Sequence, residues 1–398
     1  MANEAKHALS NRPKLALIMS GGGARAAYQV GVLKAIAELL PEKSNNPFPI
    51  ICGTSAGAIN GAALAIHATR FQEGVRRLSL IWNNFQVNQV YRADAIGILR
   101  SGVHWVSALL SGGLGKHNPR SLLDRAPLYH LLNRYLPCEK IQDSINAGAL
   151  HAFSVTASGY TTGQSVTFFQ GTDSLTPWKR ARRVGSATEI TIDHLMASSA
   201  IPFIFSAVKV NREYFGDGSM RQVAPLSPAL HLGADRILVI GVRQESEEQP
   251  PRVKAQDYPS LAQIAGHVLN SIFLDSLEVD LERLQRVNNV LKMIPAQYLT
   301  EAGVALRPVD VMAVSPSQDL AKIAERHAHH MPRAVRFLLR GIGAINRSGS
   351  SLVSYLLFDK SYCRELIELG YQDAMKNKER LLDFMNAQQQ EHAIRKTA

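Results

Sequence analysis

The chain is predicted to be an α/β protein, with a largely parallel sheet carrying helices on both faces and a mostly helical extension behind it. Three observations carry that expectation. Short apolar runs alternate with helix-spaced segments up to about residue 245. Two strand-to-helix joints in the first 60 residues are built from glycine. The chain is 46% apolar yet has no uncharged apolar stretch of about 20 residues, so that material is available for a core and a spanning helix is not expected.

The first strand is 14–19, Lys14-Leu15-Ala16-Leu17-Ile18-Met19, and it runs straight into Gly21-Gly22-Gly23-Ala24-Arg25. The helix that follows, 25–40, puts Val30, Leu33 and Ile36 on one face. Strand, glycine loop and helix start together form an anion cradle, because unpaired backbone N–H groups converge above the loop. The anion is either a phosphate or the oxyanion of an acyl intermediate. Gly21, Gly23 and Ala26 also satisfy the permissive dinucleotide pattern, with Glu38 or Glu42 as ribose ligands, so a dinucleotide-binding oxidoreductase is a rival reading.

The second strand, 49–53, leads into Gly53-Thr54-Ser55-Ala56-Gly57 and a helix over 56–67. A serine flanked two residues away on each side by glycine, on a strand-to-helix turn, is a nucleophile elbow. Gly53 and Gly57 serve a turn too tight for side chains beside an exposed hydroxyl. A helical insertion is expected at about 71–136. Within it, Ala95 to Leu110 reads either as a core helix or as a cap presenting Trp105 and Leu109 to a bilayer, and Gly112-Gly113-Leu114-Gly115-Lys116 lacks the Walker spacing.

Strands follow at 152–158 and 164–169, then a helix at 190–198 and a strand pair at 207–215 with a turn at Asn211-Arg212. That pair ends in Gly216-Asp217-Gly218-Ser219. Asp-Gly is often an ordinary turn, but behind an elbow serine and an anion cradle Asp217 becomes the natural general base. A helix at 224–232 and a strand at 236–242 close this part, and Gln244 to Tyr258 reads as a polar loop. Beyond it come helices over 260–291 carrying Phe273, Leu274, Leu277, Leu281 and Leu284, a strand at 309–315, and helices to about 386. The late strand needs a partner, so it is expected to join the same sheet, and 12–245 with 246–386 are expected to pack as one elaborated domain. The tail 387–398 is polar and expected to fray.

Taken together, the three motifs resemble the patatin-like phospholipase family over roughly residues 12–245. The resemblance implies a three-layer α/β/α patatin-like fold and a Ser-Asp dyad, with Ser55 as nucleophile and Asp217 as base. It further implies an oxyanion loop at Gly21, Gly22, Gly23, Ala24 and Arg25, joined by the N–H of Ala56, and an Asp-Gly motif completed by Gly218 and Ser219. Two positions depart from the family pattern, Ala26 where a glycine is usual and Ser219 where Ala or Gly is preferred. The implied reaction is hydrolysis of a phospholipid, lysophospholipid or related lipid ester, needing neither metal nor organic cofactor. A catalytically silent lipid-binding protein is the other alternative.

The formal charge is +11, yet no nucleic-acid module is present, and nucleic acid is not expected as a partner. The densest basic stretch, Trp178-Lys179-Arg180-Ala181-Arg182-Arg183, reads either as a solvated loop or as a surface docking peripherally on anionic membrane. Cys52, Cys138 and Cys363 are scattered, and residues 1–12 are polar with no secretory signal, so a cytoplasmic protein, at most peripheral to a membrane, is expected. His231 and His267 follow Asp217 in α/β-hydrolase triad order but carry no local signature. His327, His329 and His330 lack a neighbouring Cys or acid to complete a metal site and read as a solvated helix face.

Overall fold

A computed structural model describes residues 14–92, 121–244, 261–301, 306–341 and 350–386. The proposed cap at 95–110, the Gly112 to Lys116 loop, most of the polar loop after Gln244 and the tail at 387–398 lie outside the described residues.

One sheet organises the chain. Its parallel half has the order β10-β9-β1-β2-β3, made of β1 (Leu15–Met19), β2 (Ile50–Thr54), β3 (Ala152–Gly159), β9 (Arg236–Ile240) and β10 (Asp310–Val314). All five positions of β1, β2 and β9 are buried, which is why β1 and β9 read as continuous apolar runs without alternation. On the other side the sheet becomes mixed. β4 (Ser165–Gly171) runs back along β3, followed by β6 (Arg183–Ala187) and the edge strand β5 (Trp178–Arg180). The pair β7 (Val208–Val210) and β8 (Glu213–Asp217) hangs from the end of β3.

Helices cover both faces. Leu15, Leu17 and Met19 point into a core shared with α1 (Ala27–Leu39), α2 (Ala56–Ile66) and α3 (Phe71–Asn83), while Ala16 and Ile18 point the other way. The main face also receives α4 (Ala126–Tyr135) and α5 (Ile192–Ser198). On the second face lie α6 (Ser227–His231) and, beyond α7 (Leu261–Asn270), the apolar stripe Leu277, Leu281 and Leu284 of α8 (Ser276–Lys292). Helices follow the sheet toward the C-terminus, among them α9 (Ser350–Leu356) and α10 (Lys360–Lys376). α10 crosses α1 backbone to backbone: a Cβ on Gly31 would lie 2.0 Å from Ile367 O, and one on Gly370 would lie 2.2 Å from Tyr28 O.

The basic stretch at 178–183 departs from expectation. It forms the hairpin β5–β6 in place of a loop, with Trp178 stacked between Phe169 and His231. Lys and Arg on a short outer strand hide its period-two pattern and also discourage pairing with another chain. Among the described residues no helix is long and apolar enough to cross a membrane.

One register decides what meets what. β4 occupies one edge of β3 from Ala152 to Ser158, so β2 and β8 must share the other. On that edge Thr156 pairs with Thr54, and the next residue, Ala157, pairs with Asp217. β2 and β8 therefore end against each other, and the residue after Thr54 is Ser55.

Candidate active site

Ser55 is 1% exposed and holds φ 54°, ψ −128°, a backbone conformation that a side chain seldom adopts and that is maintained only by its surroundings. Its N–H donates to Ser198 Oγ at 2.8 Å, Ser198 in turn donates to Thr156 O at 2.6 Å, and its carbonyl accepts from Ala58 N at 2.9 Å. The flanking glycines answer to backbone on both sides. A Cβ on Gly53 would meet Ala58 Cα at 2.4 Å, and one on Gly57 would meet Met19 O at 2.3 Å.

Asp217 is fully buried. Its Oδ1 accepts from Ser219 N at 3.0 Å, and its own N–H donates to Ala200 O at 2.9 Å. Among the described residues Oδ2 has no partner in hydrogen-bond geometry. The Ser55 hydroxyl nevertheless lies close enough to favour the ionised carboxyl, so the two side chains are neighbours without a well-aligned hydrogen bond to Oδ2. Burial dominates and pushes the carboxyl up to about 6, while Ser55, Ser219 and the cation of Arg125 act to lower it. Gly218 has no room for a side chain, since a Cβ would lie 2.0 Å from Thr156 O.

The glycine loop closes the other side of Ser55. A Cβ on Gly21 would come within 3.0 Å of Ser55 Cβ and 2.8 Å of Ser219 Oγ, so loop, elbow and Asp-Gly turn converge on one point. Gly22 is tight against Val242, and Gly23, at φ 55°, faces Tyr355 O at 2.3 Å from a hypothetical Cβ. Among the described residues the N–H groups of Gly22, Gly23 and Ala24 donate to no carbonyl, whereas the Arg25 N–H is taken by Gly22 O at 3.1 Å. Free donors are thus concentrated at 22–24, with Ala56 at the start of α2 facing the same cavity. The Arg25 side chain points away from Ser55. Its Nε donates to Ser354 Oγ at 2.7 Å, Nη2 to Ser351 Oγ at 3.1 Å, and the guanidinium lies 4.2 Å from the Tyr355 ring centre.

A cavity of about 430 Å³ opens on Ser55. Ser55, Ala56, Ile59, Ala63 and His67 line it from a single face of α2, opposite Leu78 of α3 and Leu132 of α4. The sequence pattern of the patatin-like phospholipase family matches residues 17–230, more than half of the chain. The chain belongs to that family.

The patatin-like phospholipases are lipid acyl hydrolases, and similarity to individual members is distant. A cGAMP-activated phospholipase of Pseudomonas aeruginosa is 26% identical over 215 residues, covering 54% of this chain and 55% of that protein. Patatin-like phospholipase domain-containing protein 7 of Mus musculus is 44% identical over 62 residues, 16% of this chain and 4% of that protein. The chain thus spans about half the length, or much less, of these relatives. The crystal structure of VipD from Legionella pneumophila aligns at 12% identity with a TM-score of 0.35, over 95% of this chain and 67% of that one.

In this patatin-like chain several residues around the site carry no sequence signature. Arg125 is 4% exposed, donates to Met196 O at 2.6 Å and Ser206 O at 2.7 Å, and acts electrostatically on Asp217. Gln29 and Asn60, both fully buried, tie the loop down: Gln29 Nε2 donates to Ser20 O, Asn60 Nδ2 donates to Gln29 Oε1 and Ala26 O, and Trp82 Nε1 donates to Asn60 Oδ1. A π-helical turn at Ser271–Asp275 brings Phe273 against Gly21.

The rival constellations fall elsewhere. Glu38 lies at the far end of α1, roughly 16 Å of helix from the glycine loop, and its partner is Tyr371. His231 stacks on Trp178, and its Nδ1 contacts Ser227 O at 2.8 Å. His327 does find an acid, Glu365, at 2.6 Å, a partner too distant in sequence to be read from the motif. Among the described residues no group of three His, Cys, Asp or Glu is placed to hold a metal.

Proposed function

We propose that this chain is a serine acyl hydrolase cleaving ester bonds of phospholipids, lysophospholipids or related lipids. The observation that carries the reading is the apolar cavity ending on Ser55. Its α2 wall from Ser55 to His67 is roughly 18 Å long, enough for an extended acyl chain with the carbonyl at the serine. In the proposed reaction Asp217 takes the Ser55 hydroxyl proton as Oγ attacks the ester carbonyl, and the N–H groups at 22–24 and Ala56 stabilise the oxyanion. The C–O bond to the leaving alcohol breaks, the alcohol takes that proton, and an acyl-Ser55 ester remains. Water activated by the same carboxylate then releases the fatty acid and restores Ser55. Arg25 is a positioning residue in this scheme, since its side chain binds the segment 351–355 behind the loop.

The test is product analysis over a panel of diacyl and lysophospholipids. Fatty acid released by the parent and not by Ser55→Ala supports the reading. Equal release by both, or none from either, contradicts it.

A further inference from the structure

The edge of the sheet that carries Ser55 and Asp217 also carries three hairpin tips. The register fixes this placement: Ser158 at the end of β3 pairs with Ser165, Ser165 pairs with Arg183, and Arg183 pairs with Arg180. The turn at 181–182 therefore leaves the sheet on the same side as the turn at 160–164. The β7–β8 turn at 211–212 projects beyond both Gly159 and Asp217, because Gly159 pairs with Phe215 and Tyr160 N donates to Tyr214 O at 3.0 Å.

The tips and the chain segments on either side of Asp217 present apolar groups to water. Tyr160 is 50% exposed, Tyr214 55%, and Val223, six residues past Asp217, 67%. Phe203 is the most telling. It is 75% exposed, and its φ is 64°, so an aromatic side chain is held outward by a left-handed backbone that aromatic residues rarely adopt. The turn is not frayed, since Leu122 N donates to Phe203 O at 2.9 Å and Asp217 N to Ala200 O nearby.

Charge on these segments is mostly positive. Arg182, Arg212 and Arg221 are exposed, as are Arg180 and Lys209. The acid among the described tip residues, Glu213, is occupied: its Oε1 accepts from the N–H groups of Thr161 and Thr162 at 2.8 and 2.7 Å.

We infer that this rim docks on the surface of an anionic phospholipid bilayer. Single aromatic and aliphatic groups set among arginines suit a headgroup layer, where rings lie at the water boundary and cations meet phosphate and carboxylate. A protein partner calls for a contiguous dry centre, which separate protruding tips do not offer. The inference rests on the hydrolase reading only for the choice of a lipid partner. Trp178, packed between Phe169 and His231, is not part of the rim.

The test uses the full chain carrying Ser55→Ala, so that vesicles stay intact, and measures sedimentation with phosphatidylcholine vesicles with and without phosphatidylserine. Binding is expected to the anionic vesicles. Arg182→Gln, Arg212→Gln and Arg221→Gln combined should weaken it on the order of 100-fold at low salt, about fivefold per charge, with an unchanged melting temperature. Phe203→Asn, which tolerates the left-handed backbone, should weaken it about tenfold. Equal binding to neutral vesicles, or full binding by both variants, overturns the inference. So does vesicle-free self-association that the same variants abolish. Hydrolysis of a water-soluble short-chain ester by the chain with native Ser55 separates the two readings. If hydrolysis persists while vesicle binding fails, docking alone falls; if it is absent while binding follows charge, docking stands and the hydrolase reading falls.

Discussion

The two walls of Ser55 are built on opposite principles. On the loop side, Gly23 lies against the Tyr355 backbone, Gly21 and Gly22 lie against the side chains of Ser55, Phe273 and Val242, and buried neutral hydrogen bonds through Gln29, Asn60 and Trp82 hold the loop while the Arg25 guanidinium turns away from Ser55. On the Asp217 side, a carboxyl is buried with one oxygen unpartnered among the described residues, and the cation of Arg125 offsets its burial only slightly. The first wall is anchored by neutral hydrogen bonds behind it and turns toward the site the N–H groups at 22–24, free among the described residues. The second withholds solvation from a carboxylate, which makes it a stronger base and a net cost to the fold.

The largest expected difference between the walls is chemical. Ser55→Ala should abolish turnover, by about 10⁵-fold or more in kcat/KM, with little change in melting temperature. Asp217→Asn should cost about 10² to 10⁴ in kcat/KM and yet raise stability near neutral pH. The sign follows from linkage. A carboxyl whose folded pKa is raised from 3.8 to about 6 has its full stabilising share only below the unfolded value, and loses it as pH rises through the folded one. Replacing it with Asn removes a penalty on the order of 2–3 kcal/mol that is present above about pH 6. Thermal unfolding at pH 7.5 and at pH 4, the latter with a vanishing difference, would break the comparison if Asn proved destabilising at both.

On the loop wall the balance reverses, so a mutation there should damage fold and activity together. Gly23→Ala meets both a positive φ and Tyr355 O, and is expected to cost about 2–3 kcal/mol by denaturant titration while lowering kcat. The smallest effect belongs to Arg125. Arg125→Met removes a cation that lowers the Asp217 pKa, so the acid limb of kcat/KM should move upward by less than about one pH unit. A limb that stays in place would show that Arg125 serves only to bind the carbonyls of Met196 and Ser206.

The same contrast explains what the sequence made legible. Glycine spacing around Ser55 and Asp217 is local, because each glycine serves a turn only a few residues long, and the continuous apolar runs of β1 and β9 reveal the centre of a parallel sheet directly. Arg125, Ser198 and Asn60 matter only through partners 22 to 143 residues away, and nothing in their neighbours records it. Ser198 could be seen as part of a helix end, but not as the acceptor for the Ser55 N–H. The β5–β6 hairpin was hidden by its own arginines. The register that sets Asp217 one step beyond Thr54 along β3 is a property of three strands together, and no single segment carries it.

The central claim is that a buried, ionised Asp217 activates Ser55. The rate at which a fluorophosphonate ester labels the chain, followed across pH with the modified residue located by mass, tests it most directly. The account predicts an adduct on Ser55 whose rate climbs with pH through about 6 and collapses in Asp217→Asn. An adduct on another residue, or a Ser55 rate indifferent to Asp217→Asn, would contradict it.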